Sequence, residues 1–365
     1  MAKTTAPTPS TPGRWIVSEF GPPAVLSWKE FDHVPIPSDN EALIRIIAAG
    51  IGAVDNMQRV GGYPDPRTSA PGFTPGYEFV GEIESLGPAA SGTSLSIGDR
   101  VVSLCTVGGY ATHTIIPVTE LVKIPLTDDP IKVTALPLNY MTAYGMLKRS
   151  GVNLSSGSTV LVGSAAGGIG CAIAQLNAAF NMGLVLYGTC SPKNFDFVQS
   201  LGITPIDRHA DNLPARVKEL TKGKGVDVAF DAAGSEKSIR DSFAATIEGT
   251  GEVRAIGGMS KIAPGGTGLL AERFDTFAYL QKGVLPRAKF WMVTRDYYYT
   301  HRDIFREDFE GVLEAVREGK LSPLIGQLFG LGDAVKVNEL LAHGAPFTGK
   351  MEFLVDSQLA ESYKL

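Results

Sequence analysis

Hydrophobic residues follow two successive periods around residue 160. Thr159–Val162 (TVLV) is a short apolar run, which is typical of a buried strand. Beyond a glycine-rich turn, apolar residues recur every three or four positions, so they share one face of a helix: Ile169, Ile173, Leu176 and Phe180. The pattern therefore predicts a strand, a turn and an amphipathic helix in that order.

The turn, residues 163–170, reads GSAAGGIG. A dinucleotide diphosphate needs a turn without obstructing side chains, followed by a helix N-terminus that presents free N–H groups. The spacing G-x-x-x-G-G-x-G departs from G-x-G-x-x-G, and a tight turn without a ligand is the alternative. We predict that four residues of the turn bind the cofactor: Ala166, Gly167, Gly168 and Ile169.

The residues after the next predicted strand, Leu184–Thr189, bear on the choice of cofactor. A site that selects NAD places Asp or Glu near the end of this strand to bind the ribose 2′-hydroxyl. The sequence here is GTCSPK (188–193), which has no acidic residue. Hydroxyl and cationic groups suit a 2′-phosphate, so we predict NADPH, held by Ser191, Lys193 and Arg208. Alternatively, Lys193 lies at the solvated start of the next helix.

Short strands and turns dominate the region before this unit. Alternating or apolar runs predict strands over Glu41–Ala49, Phe79–Leu86, Ile97–Val102 and Gly108–Pro117. Many short strands at close spacing favour a barrel-like sheet. The chain therefore combines a β-rich first part with an α/β second part.

Composition and charge exclude several partner classes. At 365 residues the chain has room for two domains, and its net charge of -5 argues against nucleic acid or an anionic membrane surface. No apolar run approaches the ~20 residues that span a bilayer. Three scattered cysteines favour a reducing, cytoplasmic location. Residues 1–13, polar and rich in Pro and Thr, are predicted to form a disordered leader.

Several motifs resemble one known superfamily when they are taken in order. GYEFVGEIESLG, IGDRVV, GGYATH and LPLNYMTAYGML, followed by the glycine turn, are similar to the medium-chain dehydrogenase/reductases. The resemblance implies an α/β fold class with two domains. A GroES-like β-rich catalytic domain would take residues 14–134 and 300–365, and a Rossmann domain with a doubly wound parallel sheet would take residues 135–299.

The resemblance also implies further cofactor contacts and an oligomeric state. Thr142 and Lys350 are expected close to the cofactor, and the backbone of Ala255, Ile256 and Gly257 near its nicotinamide. Lys289–Thr294 is interpreted as the last strand of the Rossmann sheet. Members of the superfamily usually dimerise through this edge, and an apolar edge strand needs covering, so a homodimer is expected.

Zinc ligands of the superfamily are replaced in this chain. Gly52 and Tyr77 stand where the zinc alcohol dehydrogenases carry Cys and His, and neither side chain suits a tetrahedral zinc site. The five histidines are widely separated, so no metal is predicted. The chain is thus similar to the zinc-free branch, which includes quinone oxidoreductases, enoyl reductases and the vesicle amine transport group. The segment TCSPKNFDFVQSLG also resembles fungal trans-acting enoyl reductases.

The predicted function is NADPH-dependent reduction of a small-molecule enone or quinone by hydride transfer, in a fungal secondary pathway if the enoyl reductase resemblance holds. Tyr63, in a segment that recurs in the zinc-free branch, and Tyr77 are the predicted catalytic proton donors; packing at the domain interface is their alternative role. Two other functions stay open: an NADPH-binding scaffold, or a pathway enzyme with non-redox or cryptic redox chemistry. The second is suggested by Gly52-Ala53, where relatives carry an Asn.

Overall fold

The computed structural model describes residues 6–92, 94–209, 211–344 and 347–362. Within them the chain divides into two compact units. As far as they are described, the first unit takes Met1–Leu138, Ile262–Leu269 and Pro323–Leu365, and the second takes Asn139–Lys261 and Leu270–Ser322. No helix of the described chain combines the length and apolar character that crossing a membrane requires.

The strands of the described residues are, in chain order, β1 Gly13–Val17, β2 Leu26–Glu30, β3 Glu41–Ile51, β4 Phe79–Leu86, β5 Arg100–Ser103, β6 His113–Pro117, β7 Val122–Ile124, β8 Thr159–Val162, β9 Val185–Cys190, β10 Ile203–Asp207, β11 Val228–Asp231, β12 Glu252–Ala255, β13 Ala288–Phe290, β14 Ile325–Gly330 and β15 Lys350–Leu354. The α-helices are α1 Ala53–Arg59, α2 Pro130–Thr134, α3 Met141–Lys148, α4 Gly168–Ala179, α5 Phe195–Ser200, α6 Leu213–Leu220, α7 Glu236–Ala244, α8 Thr276–Gln281, α9 Arg302–Arg317, α10 Ala334–Ala342 and α11 Ser357–Glu361.

The first unit is built on a seven-stranded sheet in the order β14-β15-β3-β4-β5-β7, with β6 also paired to β3; β1 and β2 form a separate hairpin. Strand β3 lies at the centre because nearly all of its residues are apolar and can be buried on both faces. Its side chains join one core cluster with those of neighbouring strands, including Ile44, Ile46, Phe79, Val101 and Phe353. The predicted β-rich domain is confirmed.

The second unit contains a six-stranded sheet in the order β10-β9-β8-β11-β12-β13, and all five strand pairs are parallel. The strand order reverses between β8 and β11. In doubly wound sheets, ligands bind outside the carboxyl ends of the strands at such a point. The predicted parallel sheet is therefore confirmed, and β8 has the predicted bounds.

The division of the chain differs from the predicted boundary at residue 300. Helix α9 belongs to the second unit, because Asp308 at its centre accepts hydrogen bonds from Arg149 after α3 and from Tyr297. Residues 262–269 belong to the first unit, where Arg59 donates to the carbonyl of Gly266 at 2.9 Å. Neither attachment is visible in the local sequence pattern, because Arg149 and Arg59 lie far from their partners in the sequence.

The start of the chain also differs from the predicted leader. Residues 1–5 lie outside the described residues, but the Ala6 N–H donates to Asp333 at 3.0 Å, and the Thr8 hydroxyl donates to the carbonyl of Val355 at 2.8 Å. Gly330 permits this path, because a Cβ built there would lie 1.7 Å from the Ala6 carbonyl oxygen. Hydrogen bonds to the Asp333 side chain and the Val355 carbonyl thus hold residues whose composition alone favours disorder.

Candidate functional site

The glycine turn joins β8 to α4 at the point where the strand order reverses. The turn is fixed by the Ala165 N–H, which donates to the Thr189 carbonyl of β9 at 2.9 Å. Gly170 must lack a side chain, because its Cβ would lie 2.5 Å from the Ala165 carbonyl oxygen. The first N–H groups of α4, at Gly168 and Ile169, have no acceptor within the helix and point along its axis. This arrangement can bind an anion.

The residues predicted to hold a 2′-phosphate lie together at the carboxyl ends of neighbouring strands. Ser191 and Lys193 follow β9, and Arg208 follows β10, where its N–H donates to the Cys190 carbonyl at 2.9 Å. Lys193 and Arg208 are both exposed. The end of β9 carries no carboxylate, so this corner of the sheet presents a hydroxyl and two cations to a ligand, beside the Asp207 carboxylate that ends β10 and accepts from the His209 N–H at 2.9 Å.

The loops after β11 and β12 approach each other closely. A Cβ built on Gly257 would lie 1.7 Å from the carbonyl oxygen of Ala232, so only glycine fits there. The Ile256 N–H donates to the Asp231 carbonyl at 2.9 Å. The Asp231 carboxylate in turn accepts from the Gly234 N–H at 2.7 Å, and burial raises the pKa of this carboxyl. Ala255–Gly257 is thereby held rigidly at the same edge of the sheet as the glycine turn.

Thr142 of α3 provides a test of whether this unit suits a dinucleotide. Its side chain is 5% exposed, yet its hydroxyl finds no hydrogen-bond partner among the residues that the structure describes. A buried hydroxyl without a partner is unfavourable unless a ligand supplies one. Together with the glycine turn and the cations after β9 and β10, this residue fits a phosphorylated dinucleotide.

In the first unit, Tyr63 and Tyr77 are hydrogen-bonded through their hydroxyl groups. The two rings meet edge to face, with centroids 5.7 Å apart and planes at 88°. Tyr77 is 2% exposed, whereas Tyr63 is half-buried. In such a pair one phenol donates a hydrogen bond to the oxygen of the other, so the two hydroxyl groups are coupled.

Two buried residues fix the backbone of Tyr77. The Thr106 N–H donates to the Tyr77 carbonyl at 3.1 Å, and the Gln58 amide of α1 donates to the Thr106 carbonyl at 2.6 Å. Thr106 has φ 68°, a left-handed conformation that is uncommon for a β-branched residue. Strain of this kind persists only where the surroundings determine the backbone, and here it lies beside the tyrosine pair.

Asp55 of α1 is 1% exposed and accepts hydrogen bonds from the Gly52 N–H at 2.8 Å and the Tyr110 hydroxyl at 2.7 Å. Burial raises the pKa of Asp55 to about 6, although both hydrogen bonds oppose the shift. The Asp55 carboxyl therefore orders the start of α1.

Lys350 lies in a fully buried charge cluster of the first unit. Its ammonium forms an ion pair with Glu78, whose other oxygen accepts from the Leu138 N–H at 2.6 Å. Glu352 lies two residues along β15 and is 0% exposed; burial raises its pKa well above the ordinary value, although Lys350 opposes the shift. The expected contact between Lys350 and the cofactor remains a prediction.

The residues of the first unit do not fit zinc. Positions 52 and 77 hold glycine and a tyrosine that is paired with Tyr63, and Cys105 is buried with its thiol on the Gly76 carbonyl at 3.4 Å. No group of three His, Cys, Asp or Glu side chains with metal-binding geometry occurs in the described part of the chain.

The structure therefore collects the predicted residues into two groups, one in each unit. The residues at the carboxyl edge of the second sheet are Ala166, Gly167, Gly168, Ile169, Ser191, Lys193, Arg208, Ala255, Ile256 and Gly257, with Thr142 in α3. Tyr63, Tyr77 and Lys350 belong to the first unit. Sequence reasoning missed the buried supports of Tyr77, Gln58 and Thr106, because neither belongs to a recognisable motif.

Comparison with known proteins gives two family matches. The model described as "Alcohol dehydrogenase GroES-like domain" matches residues 38–126, and the model described as "Zinc-binding dehydrogenase" matches residues 168–285. The chain is 30% identical to the quinone oxidoreductase of Pongo abelii over 345 residues, which cover 93% of this chain and 96% of that protein.

Solved structures of similar fold cover nearly the whole chain. A quinone oxidoreductase from Pseudomonas syringae pv. Tomato is 25% identical with a TM-score of 0.77, covering 94% of this chain and 100% of its own. A mycobacterial protein solved in complex with NADPH is 24% identical with a TM-score of 0.75 and the same coverage. Because the mycobacterial protein is only 24% identical, the comparison with it shows similarity of fold alone.

Proposed function

This chain belongs to the zinc-free quinone oxidoreductase branch of the medium-chain dehydrogenase/reductases, and from that premise we propose that it uses NADPH to reduce a quinone or an enone. Membership makes it an oxidoreductase with a nicotinamide cofactor. The observation that carries the choice of NADPH is the corner formed by β9 and β10. It presents Ser191, Lys193 and Arg208, and no carboxylate follows β9.

NADPH, when bound, supplies a hydride from C4 of its nicotinamide ring. The residues of the second unit bind and orient it: the N–H groups at the start of α4 bind the diphosphate, and the two cations bind the 2′-phosphate. The rigid backbone of Ala255–Gly257 forms the support for the nicotinamide. Compared with a flexible loop, this support reduces the entropy that is lost when the ring is ordered.

The tyrosine pair supplies the proton. Hydride addition to an enone or quinone leaves negative charge on the substrate oxygen, which needs a hydrogen-bond donor and a proton. Tyr63, the half-buried member, gives its hydroxyl proton to that oxygen and takes the Tyr77 proton through their hydrogen bond. Tyr77 is held by its backbone bond to Thr106, and water returns one proton to the pair. Hydride and proton together complete a two-electron reduction.

The test is NADPH consumption by the purified protein with a panel of quinones and enones, compared with NADH and with added chelator. We expect turnover that prefers NADPH and is indifferent to chelator. Transfer of deuterium from C4-deuterated NADPH to the product would establish hydride transfer. Tight NADPH binding without consumption would favour a scaffold, and product formation without label would favour non-redox chemistry.

Tyrosine variants test the proton donor. Tyr63→Phe and Tyr77→Phe should each lower kcat by at least about tenfold, while the Kd for NADPH changes less than about twofold, because each removes one hydroxyl from the proton path. Tyr299→Phe, at a 40% exposed tyrosine of the second unit, is the matched control. Unchanged kcat in both pair variants would exclude the tyrosines as donors and leave water as the proton source.

The proposed compartment is the cytoplasm. Support comes from Cys105, Cys171 and Cys190, which are all free and buried, as suits a protein that folds without disulfides.

A further inference from the structure

Asn139 lies directly against the N-terminus of α4. It belongs to the π-helical turn Leu136–Tyr140, which leads into α3. The next residue, Tyr140, donates its hydroxyl to Gln175 of α4 at 2.6 Å. Gln175 is seven residues, about two turns, beyond Gly168, so Tyr140 anchors this segment along α4 while Asn139 reaches its first residue.

The Asn139 side chain occupies the space next to Gly168. A Cβ built on Gly168 would lie 2.1 Å from Asn139 Nδ2 and 3.0 Å from its Cγ. A side chain at position 168 would therefore require the Asn139 amide to move. Gly168 therefore leaves space for the Asn139 side chain, independently of any space that it leaves for a ligand.

The Asn139 amide is largely buried but still accessible. Asn139 is 8% exposed, its side chain makes no hydrogen bond within the part of the chain that the structure describes, and its amide atoms are not among the fully enclosed ones. Thr142, three residues later and so on the same side of the helix, has a fully buried hydroxyl that finds no partner there. An enclosed hydroxyl without a partner is unfavourable in the free protein, and a ligand that accepts its proton beside the accessible amide would offset that penalty.

We propose that Asn139 is a cofactor-binding residue whose Nδ2 donates to an oxygen of the NADPH diphosphate, beside the N–H groups at the start of α4. The inference rests on the proposed function. The diphosphate is the acceptor of choice because the amide lies at the helix N-terminus, where negative charge is most favourable. A neutral donor there adds a directed bond without competing with the cations that hold the 2′-phosphate.

The experiment measures the Kd of three ligands by isothermal titration calorimetry for the wild type and Asn139→Ala. NADPH and 2′-phospho-ADP-ribose both contain the diphosphate, whereas adenosine 2′-monophosphate lacks it. Loss of one hydrogen bond to a charged acceptor should raise the Kd of NADPH and of 2′-phospho-ADP-ribose about tenfold. The Kd of adenosine 2′-monophosphate should change less than about twofold. Asn139→Asp keeps the shape but puts a carboxylate near the diphosphate, so it should weaken the first two further.

A second variant pair tests the packing of Asn139 on Gly168 without any ligand. Gly168→Ala should lower the Tm because the new Cβ meets Nδ2, and adding Asn139→Ala should restore most of the loss. The matched control is Gly170→Ala, whose Cβ meets the Ala165 backbone instead. Asn139→Ala should not rescue that variant.

Two results would overturn the inference. Equal affinity of Asn139→Ala and the wild type for 2′-phospho-ADP-ribose would show that the amide does not bind the diphosphate. Weakening of NADPH alone would place the amide at the nicotinamide instead. If the wild type itself binds none of the three ligands, the proposed function fails first, and this inference falls with it.

Discussion

Asp55 illustrates how a single buried carboxyl group shapes the stability of the first unit. Its pKa is raised from 3.8 to about 6 because burial disfavours the carboxylate. Below both values the group is neutral in the folded and unfolded states, so it has no effect. As the pH rises from 3.8 to about 6, only the unfolded chain ionises freely, and folding becomes less favourable.

Asp55→Asn should therefore gain stability relative to the wild type as the pH is raised. The amide keeps an acceptor for Gly52 and Tyr110 but cannot ionise, so the difference in unfolding free energy between variant and wild type should shift by about 2.5 kcal/mol between pH 4 and pH 8. Urea titrations at the two pH values measure it. Asp32→Asn, at an exposed position, is the control, and an equal shift in both variants would contradict the assignment.

Lys193 tests the choice of cofactor at the residue scale. Lys193→Ala should weaken NADPH about tenfold and NADH less than about twofold, because only NADPH has the 2′-phosphate that the ammonium binds. Fluorescence titration of both cofactors gives the ratio. Lys218→Ala, an exposed lysine of α6, should leave the ratio unchanged. Equal weakening of both cofactors by Lys193→Ala would assign the lysine to another part of the ligand.

Contacts between individual side chains were the feature that the sequence predicted least well. The residues after β9 could be interpreted, because a site that lacks a carboxylate there has no acceptor for the ribose 2′-hydroxyl of NAD. The buried amide of Asn139 could not, since LNYMTAY has the appearance of an apolar helix start. An asparagine inside an otherwise buried apolar segment was the available clue. Its contact with Gly168 depends on packing between two helices that lie apart in sequence.

Helix α9 is held on the second unit by a compact polar cluster. Asp308 is 7% exposed and accepts two bonds from Arg149, at 2.8 and 2.7 Å, and one from the Tyr297 hydroxyl. Burial, and after it the hydrogen-bonded Asp308 carboxylate, raises the pKa of Tyr297 well above its ordinary value. Tyr297 therefore stays a neutral donor.

Asp308→Ala should destabilise the protein by about 2–3 kcal/mol, because it leaves the Tyr297 hydroxyl buried without this acceptor and Arg149 without its carboxylate. Half-exposed Arg149 limits the loss by turning to water. Thermal unfolding measures it. Glu310→Ala, which removes an exposed ion pair with Arg317 on the same helix, is the control and should cost less than about 1 kcal/mol. Similar losses for both would mean that α9 is held by its apolar face alone.

Strongly periodic elements were predicted well, and short ones were not. Strands β4 and β8 have the predicted bounds, because glycines mark their ends. The predicted strand Lys289–Thr294 instead gives β13, which ends at Phe290, and a π-helical turn from Thr294 to Tyr298. Its apolar run does not distinguish a strand from a helical turn, and the Asp296 carboxylate, accepting from the Met292 N–H at 2.8 Å, decides the local structure.

At the scale of the molecule, β13 leaves one edge of the six-stranded sheet unpaired within the described chain. We propose that a second copy of the chain covers it, since an open edge exposes backbone donors and acceptors. Sedimentation equilibrium should then give twice the chain mass of 38.7 kDa across a range of protein concentrations. A mass of one chain at micromolar concentration would contradict the homodimer.

The two-unit architecture followed from the order of motifs, but its boundaries did not. Local periodicity identifies a parallel sheet from its strand–helix alternation. It does not reveal that residues 262–269 leave the second unit, because Arg59 reaches them from a helix about two hundred residues earlier. The order of helices and strands along the chain does not predict such long-range polar contacts.

The position of β15 has a consequence for how the chain is made. Ile51 of β3 pairs with Met351 of β15, so the central strand of the first sheet meets one neighbour only when the last part of the chain has left the ribosome. Until then the nascent sheet carries an apolar open edge, while the second unit, nearly continuous in sequence, can already fold. Completion of the first unit must therefore wait until β15 has left the ribosome, and products truncated before β15 are expected to aggregate through β3.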